Sequence, residues 1–151
     1  MPKLLEKHIV DYIFDHLADL TGHEMIPFRK EYVATKMYPS YRCDLLCYKL
    51  LHNGFKFPFL CEVKFNGNDR DLRLELSKAL LVRDTRSFKY GLGLVLFIDD
   101  VSDLILIEEM LEQHIDVYHY TIDSEYPLQL SIQQVIGTQG GLVQTTTIKQ
   151  A

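Results

Sequence analysis

The sequence predicts an α/β sandwich, a mixed β-sheet with helices packed on it. Three observations carry this expectation. Two stretches with helical apolar spacing, Leu4 to Leu20 and Arg70 to Asp84, alternate with shorter apolar runs of strand length. Two of those runs flank His52-Asn53-Gly54, which has the local turn chemistry of a β-hairpin. Another, Gly91 to Ile98 (GLGLVLFI), is almost continuously apolar, as in a central strand covered on both faces.

In the first helical stretch Leu5, Ile9, Tyr12, Ile13, Leu17 and Leu20 form one stripe, ended by Thr21-Gly22. Glu6 lies on that stripe and so looks inward near one end of the helix. His23 to Met37 reads as a strand or a bent extended segment, with Pro27 suited to a sheet edge, and Tyr38-Pro39-Ser40 as a turn. The hairpin follows, from Tyr41 to Lys64. Asn66-Gly67-Asn68-Asp69 is then a loop with a good N-cap. In the helix after it, Leu72, Leu76, Ala79 and Leu80 share one side, while Arg70, Arg73 and Lys78 lie off that stripe. Gly91-x-Gly93 opens the next strand and does not link a strand to a helix, so it is no dinucleotide loop. Ser102 to His114 reads as a helix and Asp116 to Ile122 as a last strand. The expected division is a single domain over 1–126, with 127–151 as an edge strand, a partner-binding arm or a poorly ordered tail.

The hairpin register decides where its charges go, because a slip of one residue moves every side chain to the other face. A two-residue Asn53-Gly54 turn sets Asp44 opposite Val63 and scatters the acids. A three-residue turn, His52 to Gly54 with Gly54 left-handed, sets Asp44 opposite Glu62 and Arg42 opposite Lys64. It also gathers Cys43, Leu45, Cys47, Phe57, Phe59, Cys61 and Val63 on the other face, whereas the alternative buries ionisable groups among them. The three-residue turn is therefore expected.

In that register two carboxylates, Asp44 and Glu62, converge with the Val63 backbone carbonyl between them, and Lys64 shares their face. Hard oxygen ligands of this kind suit Mg²⁺ or Mn²⁺. Such a set can polarise a phosphate oxygen and steady the charge of an in-line displacement, so phosphodiester hydrolysis is the natural chemistry. The competing reading is a surface ion pair with a spare acid on a solvated sheet face.

At Asp44 and Glu62-Val63-Lys64 the chain resembles the PD-(D/E)XK nuclease superfamily, with an acid on the second strand and E-x-K on the third. The resemblance implies a restriction-endonuclease-like αβββαβ sandwich over roughly residues 4 to 122. It departs from the family pattern in lacking an acid just before Asp44, and Pro39 lies upstream rather than adjacent. By the resemblance Asp44, Glu62 and Lys64 are catalytic, with Asp44, Glu62, the Val63 carbonyl and Glu6 as metal ligands. Glu6 has a second reading, an acid in the first turn that suits the helix dipole. The helix after E-x-K is expected to flank the site, with Arg73, Ser77 and Lys78 as its polar candidates. Arg42, Arg70, Arg73 and Lys78 are the candidate nucleic-acid contacts.

The chain has 151 residues, enough for one domain with a real core. No apolar run approaches the roughly 20 residues of a membrane span, and the start, MPKLLEKH, lacks a signal-peptide core, so a cytoplasmic location and no membrane partner are expected. Cys43, Cys47 and Cys61 are an odd number on the expected core face, which suits reduced, packed thiols. The six histidines have no partners at metal-ligand spacing, and no Ser-His-Asp or Cys-His arrangement can be argued. The net charge of −5 is polarised: residues 1–89 hold 15 Lys/Arg against 12 Asp/Glu, and residues 90–151 hold one against nine. The half with the motif can therefore present a positive surface to nucleic acid, DNA in the first instance. No separate DNA-reading module fits in this length, so selectivity would come from loops, a homodimer or a larger assembly. The rival function is a catalytically inactive member of the same fold, acting as an interaction or assembly subunit. A small-molecule enzyme has no supporting motif.

Overall fold

The computed structural model describes residues 3–32, 42–66, 69–84 and 91–148, with backbone alone at Tyr32, Asp69 and Arg70. The elements are α1 (Glu6–Leu20), β1 (Met25–Tyr32), β2 (Cys43–Leu50), β3 (Lys56–Lys64), α2 (Asp69–Asp84), β4 (Gly93–Ile98), α3 (Leu104–Glu112), β5 (Asp116–Glu125), β6 (Leu128–Gln139) and β7 (Leu142–Thr147). The seven strands form one mixed sheet in sequence order. β1, β2 and β3 run antiparallel, β3, β4 and β5 run parallel, and β5, β6 and β7 return to antiparallel.

Each parallel step needs a crossover, supplied by α2 and then α3. Both crossovers advance the same way along the sheet, so a common hand puts both helices on one face. There Leu72, Leu76, Ala79 and Val82 of α2 and Leu106, Ile107 and Met110 of α3 pack on Leu46, Leu60, Leu94, Leu96 and Val117. The opposite face is covered by α1, whose Ile9, Ile13, Leu17 and Leu20 pack on Leu45, Cys47, Phe59, Cys61, Val95, Phe97 and Tyr118. β4 feeds alternate side chains into both layers, which is why its sequence is apolar throughout.

The β2–β3 turn has three residues. Leu51 N–H bonds the Phe55 carbonyl at 2.9 Å, and Gly54 takes φ +81°, a conformation in which a Cβ is strained. The ladder below it runs from Leu50↔Lys56 to Leu45↔Cys61, the register of the three-residue turn. Cys47 and Cys61 lie in the α1 layer, and burial pushes the Cys47 thiol up to about 12. Cys43 does not follow them as expected. It packs with Leu46 and Leu60 beneath α2 and α3, because strict alternation stops where β2 leaves β3 after Leu45.

Of the stretch expected as an edge strand, a partner-binding arm or a poorly ordered tail, residues 128–147 form a β-hairpin, β6 and β7, with β7 at the edge of the sheet. Leu130 and Ile132 of β6 are buried, so the hairpin belongs to the core domain. The Tyr38-Pro39-Ser40 turn falls outside the described residues. No described helix is long and apolar enough to cross a membrane.

Gly93 stands beside Phe59 on the neighbouring parallel strand, and a Cβ there would come within 2.3 Å of the ring. Gly93→Ala should therefore lower stability by about 1–3 kcal/mol, as overpacking does. In urea unfolding the midpoint should fall at constant slope, and Phe59→Leu in the same chain should restore part of it. An unchanged midpoint for Gly93→Ala would refute the close packing.

Candidate active site

The carboxyl end of β3 is held by side chains from four other parts of the chain. The Asp44 carboxylate accepts a hydrogen bond from the Val63 N–H at 2.7 Å. The hydroxyl of Tyr120, on β5, donates to the Lys64 carbonyl at 2.6 Å. Glu6 of α1 accepts from the Phe65 N–H at 3.0 Å, and Asp99, just after β4, accepts from the Asn66 N–H at 3.4 Å. His119 in turn bonds the Asp99 carbonyl at 3.0 Å. A strand that outruns its partner leaves backbone groups to be satisfied, and here side chains replace the missing ladder.

Three of these anchors are acids, and a fourth, Glu62, lies beside them. Glu62 is only 4% exposed, so it is not on a solvated sheet face. It shares a hydrogen bond with Asp44. Two carboxyl groups can bond each other only when one holds a proton. Burial pushes Asp44 from 3.8 up to about 6; the Val63 N–H and the Glu62 bond oppose that rise, while the charges of Glu6 and Glu75 add to it. Lys64, with 12% of its side chain exposed, reaches Glu75 of α2 at 3.4 Å.

The structure thus brings together Asp44, Glu62, Lys64 and Glu6, and adds Glu75, Tyr120 and Asp99. The Val63 carbonyl faces the same neighbour as its N–H, since a strand residue presents both groups to one side. Glu75 was legible on the logic that picked out Glu6, for it lies three residues after Leu72 and four before Ala79, on the apolar stripe of its helix. The helix residues named from sequence lie elsewhere. Arg73 pairs with Glu109 and approaches Asp103 at 3.9 Å, which ties α2 to α3. Ser77 donates back to the Arg73 carbonyl within its own helix. Lys78 is exposed on α2, Arg42 is exposed just before β2, and the Arg70 side chain lies outside the described residues.

A cleft between α1 and the edge of the sheet reaches Asp44, lined by Glu6, Lys7, Val10, Asp11, Lys30 and Glu31. Lys30 pairs with Asp11 at 2.9 Å across it. Among the described residues, no three His, Cys, Asp or Glu side chains are gathered at metal-binding separation. No protein-family model matches the chain, and neither curated protein sequences nor solved structures give a significant match.

The raised Asp44 pKa has a sign that can be checked. A carboxyl that holds its proton more tightly when folded contributes stability that is present below 3.8 and lost as pH rises through about 6. Asp44→Asn keeps an acceptor for the Val63 N–H without the charge. In chelator it should therefore stabilise the protein by about 1–3 kcal/mol at pH 8 and much less at pH 4.5, read from thermal unfolding. Equal effects at both pH values would show that Asp44 titrates normally.

Proposed function

We propose that the chain is a metal-dependent nuclease-like domain that hydrolyses nucleic-acid phosphodiester bonds on the PD-(D/E)XK plan. The observation that carries this reading is Asp44 beside Glu62 at the end of β3, with Lys64 on the same strand end and its ammonium against Glu75. The sequence of elements α1-β1-β2-β3-α2-β4 also follows the order that the resemblance implies, before the sheet continues into β5, β6 and β7.

The oxygen donors are of the kind a hard divalent cation takes, and with no three of them at metal-binding separation among the described residues, binding would draw them together. Burial, with a smaller addition from the charges of Glu6 and Glu75, raises the Asp44 pKa, and a cation would favour its ionised form. Asp44 and Glu62 would hold Mg²⁺ or Mn²⁺, with the Val63 carbonyl and Glu6 contributing, and water would fill the remaining positions, as is usual for Mg²⁺. When bound, the metal would polarise a phosphate oxygen and ease deprotonation of a water. Lys64 supplies a positive charge at a fixed place, because its backbone is held on both sides of the residue and its ammonium is steadied by Glu75. That charge would orient the attacking water and stabilise the phosphate oxygens as negative charge builds on them.

The rival, non-enzymatic reading is favoured by one observation. Asp44, Glu6 and Asp99 each already serve as acceptors for backbone N–H groups, a sufficient structural reason for acids at this end of the sheet.

Two measurements separate the readings. Calorimetry should show Mn²⁺ binding with a dissociation constant of about micromolar to millimolar, lost in a folded Asp44→Ala variant. Cleavage should be assayed at low salt on single-stranded, double-stranded and branched nucleic acid. Lys64→Ala should lose at least ~10²-fold in rate while still binding Mn²⁺. Metal binding unchanged by Asp44→Ala would mean the site is misassigned. Absence of metal-dependent cleavage on every substrate would favour the assembly subunit.

A further inference from the structure

We propose that β7 is a docking edge for a second copy of this chain: two β7 strands pair antiparallel across a two-fold axis, joining both sheets into one. The inference is independent of the metal site and rests on a contrast between the two edges of the sheet. β1 forms one edge and β7 the other. β1 contains Pro27, a register shift between Pro27 and Arg29, and the consecutive charged residues Arg29, Lys30 and Glu31. Proline, a bulge and charge are the devices that keep an edge strand from pairing with another chain.

β7 itself has neither proline nor charge, and the register shift in its ladder, between Val135 and Gly137, lies on β6. The β7 sequence is LVQTTT, and residues 126–148 contain no Asp, Glu, Lys, Arg or His, although the acidic half of the chain surrounds them. One face of the strand, Leu142, Gln144 and Thr146, is exposed, with Leu142 at 72%. Ile136, on the adjoining β6, is 58% exposed. Threonine and valine also suit a strand that is paired on both sides.

A second copy is the occupant these features select. Each chain carries a net charge of −5, so two copies repel on balance and their acidic halves most of all, whereas the uncharged hairpin within that half lets them meet without like charges opposed. An antiparallel pair of identical edges is self-complementary and closes after two chains. The axis sets side chains of one face against the same face of the partner, so Gln144 meets Gln144 and Leu142 meets Thr146 in one register, while Thr145 meets Thr145 in the adjacent one. An edge of six residues is small for an interface, so the dimer should be reversible, with a dissociation constant of about micromolar or weaker.

Sedimentation equilibrium of the full chain tests this directly, together with Leu142→Lys/Thr146→Lys, which places four ammonium groups on one face of the junction. Both positions are exposed, so the substitutions leave the fold intact, as circular dichroism would verify. The wild type should pass from monomer to dimer over about 1–500 µM, and the double variant should weaken association at least ~10-fold. In parallel, Gln144→Cys and Thr145→Cys are oxidised separately; the native cysteines are buried and do not compete. A disulfide-linked dimer from one of the two should form and would also report the register. A wild type that stays monomeric throughout would overturn the proposal and leave the edge to a strand of some other protein. So would association that grows past the dimer, or a dimer unaffected by the lysines.

Discussion

The backbone from Val63 to Asn66 is the constraint on which the site depends. β3 is a central strand with neighbours on both sides, yet its last residues run beyond the end of the β2 ladder. Unpaired N–H and C=O groups at such a place cost as much as lost hydrogen bonds unless something answers them. Asp44, Tyr120, Glu6 and Asp99 answer them, from β2, β5, α1 and the segment after β4. Because each partner comes from a different element, the position of Lys64 is determined by the whole sandwich rather than by its own strand.

Meeting that requirement with acids has an electrostatic consequence. Carboxylates accept strongly from N–H groups, but burial and the charges of Glu6 and Glu75 disfavour the ionised form of Asp44. The Asp44 pKa is raised accordingly, and Lys64 is set beside Glu75.

The parallel strands decide which helices reach the site. α2 follows Lys64 directly and crosses on the face that Glu62 and Lys64 share, so Glu75 is delivered to the lysine by the crossover itself. α1 lies on the opposite face and reaches the same strand end with Glu6 from below. The site thus opens at the end of the sheet, between layers. The β6–β7 hairpin is remote in character, uncharged where the rest of the C-terminal half is acidic.

Much of this was legible because it is local. The chemistry of His52-Asn53-Gly54 and the apolar alternation around it were enough to set the β2–β3 register from Leu45 to Leu50. Glu6 could be read from the stripe of its helix, and the double-sided burial of β4 from its unbroken apolar run. What could not be read depends on contacts between distant parts of the chain. Cys43 left its expected face because the ladder ends at Leu45, and Arg73 was drawn to α3 by Glu109 and Asp103. The residues after 127 became two strands because β5 offered an open edge. Local propensity and spacing determine which faces are apolar and which turns form. Only packing of the assembled sheet decides which backbone groups lack partners, and so which acids are drawn in to serve them.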